Sequence, residues 1–118
     1  MKKSIGFTIL SLGIMVLLTA GCASQPVTVS VKTSMHSGVF DILVTNSGST
    51  TKTYIAVIDF FDASGNRLDQ VTSQTLTAPP GRTVGESILA PVNATRYDPP
   101  ALYAVTDGLP KRIDYTST

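Results

Sequence analysis

Turn-forming residues interrupt most of this chain too often to leave room for a long helix. Beyond Cys22, Gly, Pro and crowded β-branched residues break every window of about ten residues that could carry a helical apolar period. Short runs of alternating apolar and polar residues stand between the turns, and Ser, Thr and Val are frequent in them. This pattern predicts an all-β fold made of short strands.

The predicted strands recur about every 8–12 residues, which is the spacing typical of a small antiparallel β-sandwich. A small closed barrel is the alternative architecture. The predicted strands cover residues 27–32, 40–45, 54–61, 68–76, 84–92, 102–105 and 113–115.

The run 54–61 is the strongest predicted strand, and it is apolar on both of its faces. Sandwich strands usually keep one polar face. The second apolar face therefore needs a cover, which a loop, the C-terminal segment or another protein could supply. The residues that would form such a possible partner surface are Ile55, Val57 and Phe61 of this run, with Leu43 and Val39 of the preceding one.

The first 21 residues have the layout of a secretory signal peptide. Lys2 and Lys3 precede an apolar run, and small residues end that run just before Cys22. A permanent transmembrane helix is the alternative, but it needs about 20 apolar residues. This run is shorter, and Gly6 and Gly13 interrupt it.

Cys22 is the only cysteine, so it cannot form an intramolecular disulfide. The segment LLTAGC at 17–22 resembles the lipobox of bacterial lipoproteins, with Thr19 where that family usually has Leu. The resemblance implies that a diacylglycerol is attached to the Cys22 sulfur, that the leader is cleaved before it, and that acyl chains form a durable anchor. Ala23, in place of an Asp, implies the periplasmic face of the outer membrane in a Gram-negative source.

This interpretation divides the chain into a signal peptide at 1–21, a lipidated cysteine with a short tether at 22–26, and a sandwich domain at 27–118. An extended residue spans about 3.3–3.6 Å, so residues 23–26 reach less than about 20 Å. We therefore expect the domain to lie against the membrane surface.

The charges of the chain exclude a nucleic-acid partner. Nine basic and eight acidic residues are interspersed, and the formal charge of +1 becomes −1 when Lys2 and Lys3 are removed with the leader. Neutralising several phosphates of a nucleic acid needs a basic stripe. The pair Lys111-Arg112 is the only local basic cluster beyond the leader, and we interpret it as the solvated start of a strand.

The sequence offers no constellation of residues for catalysis, a cofactor or a metal ion. His36 is the only histidine and stands in a predicted hairpin tip, without the partners of a metal site or a catalytic triad. Asp59, Asp62 and Asp69 flank one predicted hairpin but lack the spacing of a calcium-binding loop.

In its predicted strand, Glu86 falls on the same alternating positions as the apolar residues Val84 and Ile88, and so on the face predicted to point inward. We interpret this as a β-bulge at Gly85 that resets the register. A carboxylate that points inward is the alternative.

Three segments each carry one feature of a shared pattern: a strand that ends in an Asn-rich turn, a hairpin with an aromatic-aromatic-Asp sequence, and a Pro-Gly turn. They are GVFDILVTNSG at 38–48, YIAVIDFFDASG at 54–65 and Pro79-Pro80-Gly81. Together they resemble the FxLYD-type immunoglobulin-like domains of bacterial envelope proteins. The resemblance implies an immunoglobulin-like sandwich and brings no catalytic residues with it.

These observations favour a non-enzymatic lipoprotein with a binding or structural accessory role in the cell envelope. Its expected partners are the membrane, through Cys22, and another envelope protein close to the membrane. The alternative is an inhibitor or exclusion lipoprotein of phage or plasmid type, which blocks an envelope receptor or enzyme. A small hydrolase is disfavoured because the sequence shows no convergent acid–base pair.

Overall fold

The alternation of apolar and polar residues sorts the side chains of each strand onto two faces, one of which is buried. The structure, a computed structural model, describes residues 27–118; the predicted signal peptide and tether lie outside it. Within that range the chain is all-β. Its strands are β1 (Val29–His36), β2 (Val39–Asn46), β3 (Lys52–Phe61), β4 (Arg67–Thr72), β5 (Leu76–Ala78), β6 (Thr83–Leu89), β7 (Arg96–Tyr97), β8 (Ala101–Thr106), β9 (Leu109–Ile113) and β10 (Thr116–Ser117).

The strands form two sheets that pack face to face. The larger sheet has the order β9-β8-β3-β4, and the short strands β5 and β7 also pair with β3. The smaller sheet has the order β10-β1-β2-β6, in which β10 pairs in parallel with β1 and the other pairs are antiparallel. The predicted small antiparallel β-sandwich is confirmed, apart from this short parallel pair, and residues 27–118 do not form the alternative closed barrel.

Aromatic rings join the two sheets at the centre of the core. Phe40 on β2 meets Phe60 on β3 edge-to-face, with ring centroids 5.5 Å apart. Phe40 also packs against Tyr97 at 4.7 Å, and the Tyr97 hydroxyl lies 2.9 Å from that of Thr33. Such ring pairs stabilise a core by about 0.5–1.5 kcal/mol each beyond their burial. The buried apolar residues are Val29, Val31, Phe40, Ile42, Val44, Tyr54, Ala56, Ile58, Phe60, Leu76, Ala78, Ile88 and Leu102.

A buried asparagine ties β2 to the larger sheet at one end of the sandwich. The Asn46 side chain is fully buried, and its Nδ2 donates hydrogen bonds to the carbonyls of Thr50 at 2.8 Å and Ala78 at 2.9 Å. Its Oδ1 accepts a hydrogen bond from the Gly48 amide at 2.9 Å. Buried polar groups need such partners. This network therefore fixes the turn after β2 against β5.

The predicted strand 68–76 is wrong as a single element, because Ser73 divides it into β4 and β5. The Ser73 hydroxyl accepts a hydrogen bond from the Ala56 amide at 2.9 Å and donates one to the Gln74 carbonyl at 2.8 Å. The Ser73 amide donates to the Ala56 carbonyl at 2.8 Å. The backbone and side chain of the buried Ser73 thus satisfy both backbone groups of Ala56 where the regular pairing of β3 with β4 ends.

The turn predicted at 108–110 begins one residue earlier. Asp107 and Gly108 both have positive φ angles, of 52° and 77°, and they form the turn between β8 and β9. Pro110 lies inside β9. Because β9 is an edge strand, a residue without an amide hydrogen is tolerated there.

The expected bulge at Gly85 is wrong, because β6 pairs with β2 in a continuous register. Gly85 lies opposite Leu43 and Glu86 opposite Ile42, so Glu86 has the inward parity of the alternative interpretation. Glu86 is half-buried, and its carboxylate accepts a hydrogen bond from the Gln74 amide at 2.9 Å. A Cβ on Gly85 would lie 2.5 Å from Leu43 Cδ2 and 2.6 Å from the Ile42 carbonyl oxygen. Glycine is needed here for close strand approach.

Candidate functional site

The larger sheet turns an apolar face outward along β3 and β8. Ile55 lies opposite Tyr103, and Val57 lies opposite Ala101. These four side chains and that of Val105 are half-buried, on the side of the sheet away from the core. We refer to the surface formed by these five residues as the β3/β8 face.

No strand of residues 27–118 crosses the β3/β8 face. The C-terminal strand β10 pairs with β1 in the smaller sheet, so it does not supply the cover that this apolar face would need. The five side chains are shielded in part by their neighbours within the sheet. A second molecule could therefore reach them.

Phe61, the last residue of β3, lies beside charged groups. The guanidinium of Arg96 lies 4.6 Å from the centroid of the Phe61 ring. Asp59, which interrupts the apolar run, lies 3.3 Å from Arg67 Nε and accepts a hydrogen bond from Gln70 Nε2 at 3.0 Å. Exposed contacts of these kinds contribute about 1 kcal/mol or less each. The predicted partner surface around Phe61 thus carries positive charge at its border.

Val39 and Leu43 lie on the other side of the molecule. Both belong to β2 and sit on the outer face of the smaller sheet, where Ser87 donates a hydrogen bond of 2.5 Å to Asp41. The inner faces of the two sheets meet in the core, so their outer faces point in opposite directions. The five residues predicted as a possible partner surface therefore form two separate surfaces, with Ile55, Val57 and Phe61 on one and Val39 and Leu43 on the other.

A basic cleft of about 910 Å³ opens between the sheets beside the start of β1. Lys52, Lys111 and Arg112 line it, together with Asp114 and the buried Tyr54. Burial raises the pKa of the Tyr54 phenol. The sequence signals part of this cleft through the pair Lys111-Arg112, and both residues are exposed, as the sequence predicts. The fold adds Lys52 from a distant part of the chain.

The sequence also singles out His36 and three aspartates. The aspartates, Asp59, Asp62 and Asp69, all belong to the hairpin of β3 and β4. His36 is exposed at the end of β1, beside the tight turn to β2. The Asp62 carboxylate accepts hydrogen bonds from the amides of Asn66 and Ser64, both at 2.9 Å, and the bond from Asn66 contributes most to lowering the pKa of Asp62. Among residues 27–118, no group of three or more His, Cys, Asp and Glu side chains could hold a metal ion.

Cys22 and the leader lie outside the described residues. No helix in the described part of the chain is long and apolar enough to span a membrane. No protein-family model matches the chain, and no curated protein matches it. The resemblances to bacterial lipoproteins and to FxLYD-type domains stay predictions from the sequence.

Proposed function

We propose that this protein is a lipoprotein of the cell envelope, anchored by acyl chains on Cys22, whose β-sandwich binds another envelope protein in a non-enzymatic role. The lipobox-like segment 17–22 supports the anchor. Ala23 supports a location on the periplasmic face of the outer membrane in a Gram-negative source. The short tether at 23–26 supports a partner close to the membrane.

The β3/β8 face is the observation that carries the binding role. A sheet face that meets only water usually carries polar residues. An apolar sheet face that no strand of the described chain covers is typical of an interaction site. Arg67 and Arg96 near one end of this face suit a partner with an acidic rim.

Site-specific photocrosslinking in cells tests this role. A photoreactive residue at Val57 is expected to form a discrete adduct with one envelope protein, whereas the same residue at Ser87, on the opposite outer face, is not. The identity of the adduct also separates an accessory protein from an inhibitor that blocks a receptor or enzyme.

Substitution at the same position gives the decisive readout. Val57→Asp is expected to abolish the adduct formed from a photoreactive residue at Tyr103, because it places a charge in the apolar interface. Val57→Thr keeps the β-branched shape and serves as the second variant if Val57→Asp lowers stability. A folded variant that retains every adduct would overturn the binding role.

Metabolic labelling with a palmitate analogue tests the anchor separately. We expect label on the wild-type protein and none on Cys22→Ser. An unlabelled wild-type protein that keeps residues 1–21 would remove the anchor and the envelope location together.

A further inference from the structure

The basic cleft gathers cations from separate strands of the larger sheet. Lys52 begins β3, and Lys111 lies in β9. In the sheet register, Lys111 lies opposite Ala104, which in turn lies opposite the buried Tyr54. Lys52 stands two residues before Tyr54, so it lies on the same face of β3. Both lysines therefore leave the sheet on its inner side, toward the cleft.

The cations of this cleft outnumber its carboxylates. Lys52, Lys111 and Arg112 line it with one acidic residue, Asp114. Arg112 lies opposite Tyr103 in the register, on the outer side of the sheet, so the two lysines supply the charge that faces the cleft. None of the three cations is part of an ion pair within residues 27–118, and residues 1–26 contain no Asp or Glu. Clustered like charges repel one another. A bound anion would relieve that repulsion.

We propose that the basic cleft binds the phosphate group of a membrane lipid headgroup. Phosphate presents several acceptor oxygens, which suit the three donors that each lysine ammonium carries. Pockets for drug-sized ligands measure about 300–1,000 Å³. At about 910 Å³, the cleft has room for the rest of a headgroup beside its phosphate.

The position of the cleft favours a lipid over a free anion. Val27 lines the cleft, and residues 23–26 separate it from Cys22. An extended tether of this length spans less than about 20 Å. Acyl chains on Cys22 would therefore hold the cleft near the lipid headgroups. This step rests on the proposed function, whereas the chemistry of the cleft does not.

Titration with short-chain lipids tests the proposal on the full protein in a nonionic detergent. The probes are dihexanoyl phosphatidylglycerol, inorganic phosphate and the phosphate-free dihexanoylglycerol. The readout is the NMR shifts of the Tyr54 and Ala104 amides, which belong to residues that line the cleft and that the variants leave unchanged. We expect saturable binding of the phospholipid, at least tenfold weaker binding of inorganic phosphate, and no saturable binding of dihexanoylglycerol.

The variants separate recognition by the cleft from general attraction to lipid. The double variant Lys52→Gln/Lys111→Gln is expected to bind the phospholipid at least tenfold more weakly. The matched control Lys32→Gln, at an exposed position on β1, is expected to bind it as the wild type does. Thermal unfolding verifies that the double variant is folded, and each single variant serves in its place if it is not.

Three outcomes overturn the proposal. Equal phospholipid binding by the wild type and the variants shows that the lysines do not recognise it. Saturable binding of dihexanoylglycerol with equal affinity shows that the phosphate is not recognised. Equal binding of inorganic phosphate and phospholipid shows a site for a free anion. Mass spectrometry of the same preparation detects acyl chains on Cys22, so failure of the anchor and failure of the cleft give different results.

Discussion

At the end of the sandwich where β1 and β3 begin, the two sheets are joined by hydrogen bonds on one side and separated by a cleft on the other. On the closed side, the fully buried Asn46 of β2 donates a hydrogen bond to the Ala78 carbonyl of β5, so a neutral amide joins the sheets. On the open side, a cleft lined by Lys52 and Lys111 separates the start of β1 from the larger sheet. The same end of the fold thus contains a paired polar group and a set of cations without carboxylate partners.

This difference separates residues that hold the fold from residues that serve another purpose. A buried amide with all its hydrogen bonds made favours one packing of the two sheets. Clustered lysines without acidic partners disfavour compaction. Residues that conflict with the local needs of a fold are expected at functional sites. We therefore attribute the closed side to folding and the open side to binding.

Removing the amide of the closed side should have the largest effect on stability. Asn46→Ala leaves the buried carbonyl of Ala78 and the part-buried carbonyl of Thr50 without their donor. Each orphaned buried group costs about 1–3 kcal/mol, so the free energy of unfolding should fall by roughly 2–4 kcal/mol. Urea denaturation followed by circular dichroism measures this loss.

The matched control is Thr50→Ala, which keeps the backbone carbonyl that accepts the bond from Asn46. Its effect should stay within about 0.5 kcal/mol because the Thr50 side chain is exposed. If Asn46→Ala were as mild as this control, the closed side would not depend on the amide.

Alkaline pH should lower the free energy of unfolding through Tyr54, on the open side. Burial raises the pKa of Tyr54, which lines the cleft. The folded protein therefore keeps the phenol protonated, so this contribution is complete below the unfolded pKa of about 10 and is lost as pH rises above it. Tyr54→Phe should flatten the alkaline fall of the urea midpoint.

Burial also raises the pKa of Tyr115, whose hydroxyl donates a hydrogen bond to the Pro100 carbonyl at 2.6 Å. Tyr115→Phe should therefore remove a separate part of the alkaline fall, which makes it the control for Tyr54→Phe. If the Tyr54→Phe curve ran parallel to that of the wild type, the phenol in the cleft would not be the group that responds.

Low pH should weaken the turn that follows β3, where Asp62 lies, and should not change the hydrogen bonds of Asn46 on the closed side. Hydrogen bonds from the turn amides, chiefly that of Asn66, lower the pKa of Asp62. This contribution is present above the unfolded pKa of about 3.9 and is lost as pH falls through the folded pKa. The NMR shifts of the Ser64 and Asn66 amides should change at low pH.

Asp62→Asn should abolish that titration, and the Gly48 amide, which donates to Asn46, should not shift in either protein. A simultaneous shift of Gly48 would show that the closed side is also sensitive to acid. The contrast between the two sides would then rest on something other than charge.

Local patterns predict the hairpins of this fold well because their determinants are close in sequence. Period-2 alternation identifies β2 and β3, and the turn residues after them are correctly placed. The Asn46 turn is also visible in the sequence. Its bond to Ala78 is not, because that partner belongs to another sheet.

The errors occur where two physical causes leave the same local signal. A bulge and a close strand approach both call for a residue without a side chain, so the sequence alone cannot separate them at Gly85. The basic cleft was missed for a related reason. Lys111 and Arg112 are exposed, as the sequence predicts, but only the fold brings Lys52 to the same cleft.

Neutralising the cleft lysines should have the smallest effect on stability. Lys52→Gln/Lys111→Gln removes no ion pair within residues 27–118, so the free energy of unfolding should change by less than about 0.5 kcal/mol. Arg67→Gln is the comparison, because it breaks the exposed pair with Asp59 and should cost up to about 1 kcal/mol. Urea midpoints at low and high salt measure both effects.

A loss larger than that of Arg67→Gln would show that the lysines support the fold, and the two sides would no longer differ in kind. A small gain in stability at low salt, which disappears at high salt, would show that the lysines repel each other in the folded protein. The protein would then carry both charges at the expense of its own stability. Binding of an anion in the cleft would account for their presence there.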